Sequence, residues 1–260
     1  MDRSRLLETL RPRLGSALLA FDFDGTLSPI VAEPSEARLA PGAHRVLERL
    51  ARRGAQIALI SGRDAATLLD LSGLADLRSL TVEGIYGAEQ WHAGLLRTLD
   101  DPPVMSRLRQ ELPHLLATIP WCDGVWIEDK RLSIVLHTRQ ARRPERAEQE
   151  LWERMPDFAA RLGLEIHAGN HVLEFRLPGY DKASALRRLV HIHRPTAVLY
   201  AGDDLGDEPA AAEIARIRRT GVTAASIAVG SPPPPDLAAT ADLTVADPAE
   251  LVALLTDLAG

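Results

Sequence analysis

The stretch Leu18-Leu19-Ala20-Phe21-Asp22-Phe23-Asp24-Gly25-Thr26-Leu27-Ser28-Pro29-Ile30 decides how this chain is read. A short apolar run meets a Gly-Thr turn, as at the C-terminal end of a buried strand, and open α/β sheets bind their ligands at such ends. Residues two apart on a strand share a face, so Asp22 and Asp24 are expected to project together. Two like charges held that close are costly unless a cation or a proton sits between them. The pair points to a metal-dependent Asp nucleophile with an acid/base partner. Taken alone, it also describes a solvated turn after a buried strand, because Asp and Gly are common turn formers.

Working outward, three more apolar runs end in polar residues. Gln56–Ile60 leads to Ser61-Gly62-Arg63, Ala197–Ala201 to Gly202-Asp203-Asp204, and Ala225–Val229 to Gly230. Helical patterns lie between them at Gly42–Arg53, Ala65–Leu71, Lys182–His191 and Pro248–Leu258, the alternation that builds βα units and a parallel sheet. The middle differs. A helical stretch (Met105–Leu116) precedes a hairpin turning at Asp129-Lys130-Arg131, and a second helix (Pro144–Leu162) precedes a hairpin turning at Ala168-Gly169-Asn170. The expected architecture is therefore α/β: a Rossmann-like parallel-sheet core from residues 1–101 and 178–260, with a smaller α/β cap domain, residues 102–177, inserted between its halves.

Bulk properties narrow the function. The 260 residues carry a formal net charge of -6 and only 4% aromatics, which leaves no broad basic surface or stacking platform for nucleic acid. No apolar run reaches the about 18 residues that span a bilayer. The single cysteine, Cys122, excludes an internal disulfide and, with no secretory apolar region near the start, fits a reducing cytoplasmic setting. The mixed charges of Arg142, Arg143, Glu145, Arg146, Glu148 and Glu150 read as a solvated helix face. His92, His114, His167 and His171 have no metal-ligand spacing with Cys122 and read as structural or exposed.

Hydrolysis of a phosphate ester through a covalent aspartyl-phosphate needs a nucleophilic carboxylate, a proton donor, a cation and donors for the phosphoryl oxygens. Asp22, with an unperturbed pKa near ~3.9, is expected to be ionised without an activating base. Asp24 is the candidate acid/base. Ser61, with the backbone N–H groups of Gly62 and Arg63, suits a phosphate at the start of a helix, although a plain Ser N-cap explains it too. Lys182 also opens a helix, where a cation is poorly placed unless an anion is near. Asp203, Asp204, Asp207 and Glu208 put four acids in six residues after an apolar strand, hard oxygens suited to Mg²⁺, with Asp203 the first ligand and Asp204 and Asp207 secondary. Some of these acids would also serve as the N-terminus of the following helix.

The arrangement Asp22-x-Asp24-Gly25-Thr26, Ser61, Lys182 and Gly202-Asp203-Asp204-x-x-Asp207 resembles the four motifs of haloacid dehalogenase superfamily phosphatases. More narrowly, Phe21–Ile30, Ser61-Gly62-Arg63, Gly84-x-x-Gly87-Ala88-Glu89, Glu128-x-Lys130, His137-x-Arg139 and Glu174-x-Arg176 resemble the trehalose-6-phosphate phosphatase family. The resemblance implies a Rossmann-like core with a mobile cap, Mg²⁺ held at Asp22, Asp24, Asp203, Asp204 and Asp207, Asp22 as nucleophile and Asp24 as acid/base. It also implies that Glu128, Lys130 and Glu174 grip sugar hydroxyls, with Arg63 and Arg139 near the substrate. On the residues alone, Glu128 and Lys130 are equally a surface ion pair. The chain departs from the pattern at Tyr86, where many members have His, at Ala183, where Gly is common, and at Gly206, where Thr is frequent.

The combined reading is a cytoplasmic, monomeric, Mg²⁺-dependent phosphatase acting on a small sugar phosphate, with neither nucleic acid nor membrane as partner, and trehalose 6-phosphate as the expected substrate. Competing readings are a phosphatase of a sucrose, mannosylglycerate or glucosylglycerol phosphate, a phosphosugar mutase, or a phosphosugar-sensing module without turnover.

Overall fold

The structure is a computed structural model and describes residues 1–169 and 171–260. It divides into two compact units, one of residues 1–98 and 181–260 and one of residues 99–180.

The larger unit begins with α1 (Arg3–Leu10), β1 (Ala17–Phe21), α2 (Ala43–Arg52), β2 (Gln56–Ile60), α3 (Ala65–Ser72), β3 (Leu80–Gly84), β4 (Glu89–His92) and β5 (Leu95–Thr98). The smaller unit follows with α4 (Pro103–Leu116), β6 (Trp126–Asp129), β7 (Ser133–His137), α5 (Pro144–Leu162), β8 (Glu165–Gly169) and β9 (Val172–Arg176). The chain then completes the larger unit with α6 (Lys182–His193), β10 (Ala197–Gly202), α7 (Glu208–Arg218), β11 (Thr223–Val229), α8 (Pro235–Thr240), β12 (Leu243–Val245) and α9 (Pro248–Ala259).

The large sheet runs β12-β11-β10-β1-β2-β3-β4-β5, parallel from β12 to β3 and antiparallel beyond. Its central strands β1, β2 and β10 read as near-continuous apolar runs because both faces are covered. Leu19 and Phe21 of β1 pack with residues of α1, α2, α3 and α9, while Leu18 and Ala20 pack with α6 and α7. From β1 the chain moves to β2 and β3 on one side, and from β10 to β11 and β12 on the other. The boundary between β1 and β10 is thus the topological switch point, where the loops leaving two adjacent strands diverge and open a crevice. Asp22 follows β1 and Asp203 follows β10 at that crevice.

Several elements carried no strong local signal. β3, the β4–β5 hairpin and β12 are not among the apolar runs that mark strands in the sequence. Leu95 to Thr98 is exposed throughout and alternates nothing, so an edge strand there is set by pairing with β4 rather than by pattern.

In the smaller unit the sheet order is β6-β7-β9-β8, all antiparallel. The first turn falls one residue later than expected, between Asp129 and Ser133. At the second turn Ala168 and Gly169 continue β8, and Asn170 lies outside the described residues. Phe158 of α5 meets Phe175 edge to face, and Arg109 of α4 pairs with Asp129 at 2.7 Å. Both helices therefore lie on the face that carries Ile134 and Phe175.

Candidate active site

Lys182 is the hub of the crevice. Asp181 caps α6 by accepting from the Ser184 N–H at 2.6 Å, which fixes Lys182 as the first helical residue. Its Nζ lies 2.7 Å from Asp207 Oδ1, 3.0 Å from Asp22 Oδ1 and 3.6 Å from Asp204 Oδ1. Those anions compensate a cation at the positive end of a helix. The Lys182 side chain is only 5% exposed, so burial opposes its charge, yet Asp207 and Asp22 more than offset that and hold the ammonium well above its ordinary pKa.

Asp207 has no exposed surface and its oxygens are fully engaged. Oδ1 accepts from Lys182 and from the Tyr200 hydroxyl, and Oδ2 accepts from the N–H groups of Asp203 at 3.0 Å and Asp204 at 3.1 Å. It makes no side-chain cap to α7, which begins at the next residue. Its work is to shape the Asp203–Asp204 loop and anchor the lysine. Tyr200 was not legible as a site residue, although a lone Tyr inside an apolar strand needs a partner for its hydroxyl.

Asp22, Asp203 and Asp207 bring carboxylate oxygens within 4.8 Å of one another. Burial pushes Asp22 well above the ordinary carboxylate range against the pull of Lys182, and Asp207, Asp204 and Asp203 add to the rise. Burial, then Asp207 and Asp204, push Asp203 up to about 7. For Asp204, burial also acts upward, but Lys182 and a hydrogen bond with Asp207 leave it below its usual value. The expectation that Asp22 ionises unaided took the free side-chain value, and in the folded chain burial works against its charge while Lys182 works for it. One ammonium is too little charge for four carboxylates, and the set fits a divalent cation bound by hard oxygens. Thr26 Oγ1 orients Asp203 by donating to Oδ1 at 3.1 Å. Gly25, at φ +76°, lets the backbone pass so near Asp203 that a Cβ there would lie 2.0 Å from Oδ2.

Asp24 stands apart from that cluster. Arg63 binds it through two hydrogen bonds, Nε to Oδ2 at 2.6 Å and Nη2 to Oδ1 at 2.8 Å, the planar fork that suits a carboxylate. Ser61 is buried and follows β2 directly, but it is not the cap of α3: Asp64 is, accepting from the Thr67 N–H at 2.8 Å. Ser61 instead belongs to a loop tied down from β3–β4. The Tyr86 N–H donates to Ser61 O at 2.9 Å, the Ile85 N–H to Arg63 O at 2.8 Å, and Glu89 accepts from the Ala65 N–H at 2.9 Å. Ile85 and Tyr86 both hold positive φ, 47° and 56°, a costly conformation for a β-branched and an aromatic residue. The result is that the Tyr86 ring lies against Gly62, whose missing side chain leaves room for it. A hollow of about 310 Å³ opens beside Gly25 and Asp203, walled by Ile30, Pro232 and Pro233.

In the smaller unit, strand register puts Glu128, Ser133 and Glu174 on one sheet face. Glu128 accepts from His137 Nε2 at 2.9 Å and lies 3.8 Å from Lys130 Nζ. Glu174, 6% exposed, pairs with Arg176 at 2.5 Å and accepts from Ser133 Oγ at 2.7 Å. Burial acts to raise Glu174, but Arg176, Lys130 and Ser133 together leave it below its ordinary value. Arg139 is exposed, two residues beyond β7.

A parallel sheet whose switch point gathers buried acids and a lysine, with a small antiparallel unit inserted into it, defines a haloacid dehalogenase-type protein with a cap domain. The chain belongs to the trehalose-phosphatase family, which it matches over residues 20–247. It is 34% identical over 201 residues to the trehalose-phosphate phosphatase of Mycobacterium tuberculosis H37Rv, a match covering 73% of this chain and 49% of that protein. The chain thus spans about half the length of such curated relatives. The Aspergillus fumigatus trehalose-6-phosphate phosphatase structure is 25% identical with a TM-score of 0.77, covering 100% of this chain and 97% of that one. The C-terminal domain of Candida albicans trehalose-6-phosphate phosphatase, 24% identical over 100% of this chain and 97% of that one, shares the fold with a TM-score of 0.80. Among the described residues no helix is long and apolar enough to cross a membrane.

Proposed function

We propose that this chain is a Mg²⁺-dependent phosphatase that hydrolyses trehalose 6-phosphate to trehalose and phosphate through an aspartyl-phosphate on Asp22. The observation that carries the reading is the contrast within the Asp22/Asp24 pair. One carboxylate is buried against an ammonium at 3.0 Å, and the other is part-exposed and held by a guanidinium, so two acids two residues apart can take different roles. Family membership and the names of the relatives support the substrate.

In this reading Asp22 attacks phosphorus, while Lys182 and Ser61 hold phosphoryl oxygens as charge builds on them. Asp24 gives a proton to the departing sugar oxygen and later takes one from the water that hydrolyses the intermediate, a contribution of typically ~10²–10⁴-fold. The Arg63 fork takes one lone pair on each Asp24 oxygen, which leaves a second on each for the proton and holds the carboxyl in orientation for either transfer. Asp22 and Asp203 would hold Mg²⁺, with Asp204 at the rim and Asp207 already saturated by its four donors. When bound, the ion supplies the positive charge that the four carboxylates lack and neutralises phosphoryl oxygen charge. Glu128, Lys130 and Glu174, with Arg139, bind hydroxyls of the sugar. The enzyme is read as a cytoplasmic monomer.

The test is phosphate release from trehalose 6-phosphate, glucose 6-phosphate and sucrose 6-phosphate, with and without EDTA. The expected result is preference for trehalose 6-phosphate, abolished by EDTA and restored by Mg²⁺, and lost in Asp22→Asn with the fold intact. Preference for the monosaccharide would overturn the substrate, and substantial turnover by Asp22→Asn would overturn the mechanism.

A further inference from the structure

Trp126 is 51% exposed, an unusual position for an indole on a strand. Register places it on the same face of the small sheet as Glu128, Lys130, Ser133, His137 and Glu174, the face opposite α4 and α5. Its ring lies 4.5 Å from that of His137 at an interplanar angle of 31°. His137 is in turn held by Glu128 at 2.9 Å, so the indole rests on an imidazole that a carboxylate fixes. The other exposed indoles are placed differently: Trp121 lies under the Arg143 guanidinium, and Trp152 is on the helix α5. The cations beside the platform are paired, Lys130 with Glu128 and Arg176 with Glu174, and Glu165 beside His167 adds a third acid, so the face is rich in donors and acceptors and carries no excess of cations. An apolar plate bordered by hydrogen-bonding groups without excess positive charge fits a neutral ring with C–H groups on its face and hydroxyls on its rim, and fits an anion poorly.

We propose that Trp126, backed by His137, is the stacking platform for the sugar ring that carries no phosphate. The proposal rests on the disaccharide-phosphate reading above and deepens it: the phosphorylated ring is held through its phosphate, and this platform is what makes a second ring worth having. Glu128, Lys130 and Glu174 then meet hydroxyls around the stacked ring.

The experiment compares Trp126→Ala and Trp126→Phe with the parent on trehalose 6-phosphate and glucose 6-phosphate. Loss of an aromatic plate is expected to lower the preference for the disaccharide phosphate roughly five- to tenfold, carried by KM rather than kcat, with Phe recovering most of it. An unchanged ratio, or an equal loss on both substrates, overturns the proposal. In parallel, neutral trehalose is titrated into the metal-free protein and tryptophan fluorescence is followed. A saturable change that disappears in Trp126→Phe, although Trp91, Trp121 and Trp152 remain, supports the platform. No saturable change, or one that survives the substitution, refutes it. If the parent protein hydrolyses no sugar phosphate, the phosphatase reading fails, and the titration still decides the platform by itself.

Discussion

Replacing Asp207 by Asn tests the claim that this buried carboxylate organises the site from below. The substitution is isosteric, so packing is unchanged, but one oxygen becomes an NH₂ that must face either Lys182 and Tyr200 or the N–H groups of Asp203 and Asp204. Either orientation sets donors against donors in a spot with no solvent access, and each stranded donor costs about 1–3 kcal/mol. The lysine also loses its shortest ion pair; breaking a buried pair by removing one partner costs about 3–5 kcal/mol. Taking about 3–5 kcal/mol for the whole change, with some 2–4 °C per kcal/mol in a unit of this size, the melting temperature should fall by roughly 6–20 °C. Circular dichroism melts in EDTA read the protein without bound metal. A companion cycle with Lys182→Met should show strong coupling, the double variant being less destabilised than the sum of the singles. A drop of under about 2 °C in Asp207→Asn, or simple additivity in the cycle, would refute the reasoning.

Three further outcomes follow from the geometry. Gly25→Ala puts a Cβ 2.0 Å from an Asp203 oxygen at a backbone φ of +76°, so phosphate release at saturating Mg²⁺ should fall about 100-fold or more; near-normal turnover would show that Asp203 is not positioned by this turn. Arg63→Lys keeps the charge but loses the fork that binds Asp24 at two points, and should retain under about a tenth of the parent kcat/KM; equal activity would show that the fork has no function. Glu83 is buried and pushed from 4.5 up to about 7, burial outweighing the opposing Arg188, so between those values the folded chain holds a proton that the unfolded chain has released. That contribution is fully present below pH 4.5 and is lost as pH rises to about 7, worth about 3 kcal/mol over the window. Urea unfolding of Glu83→Gln at pH 5 and pH 8 should lack this loss, and parallel pH dependence in the two proteins would sink the assignment.

Asp22, Asp24, Lys182 and Asp203 were legible because each follows a local signal: an apolar run that stops at a polar residue, or a cation at a helix start. The Ser61 region was read only in part, since the residue that caps α3 is Asp64, and what places Ser61 is a pair of backbone bonds from Ile85 and Tyr86. Tyr86 could be noted as a departure from the family pattern, but its place against Gly62 could not be read.

The sequence by itself determined that strands and helices alternate, that an unlike segment interrupts them, and which residue types stand at the strand ends, because hydrophobic periodicity and turn chemistry act over a few residues. Only the tertiary structure decided how those residues divide the work. Thr26 reaches Asp203 across 177 positions, Arg63 reaches Asp24 across 39, and Asp207 was spent on Lys182 and Tyr200 rather than left open. Burial then raised Asp22, which the free side-chain value had made an unaided nucleophile. Such outcomes depend on strand order and on shared charge in a dry crevice, and neither is a property of any short stretch of chain.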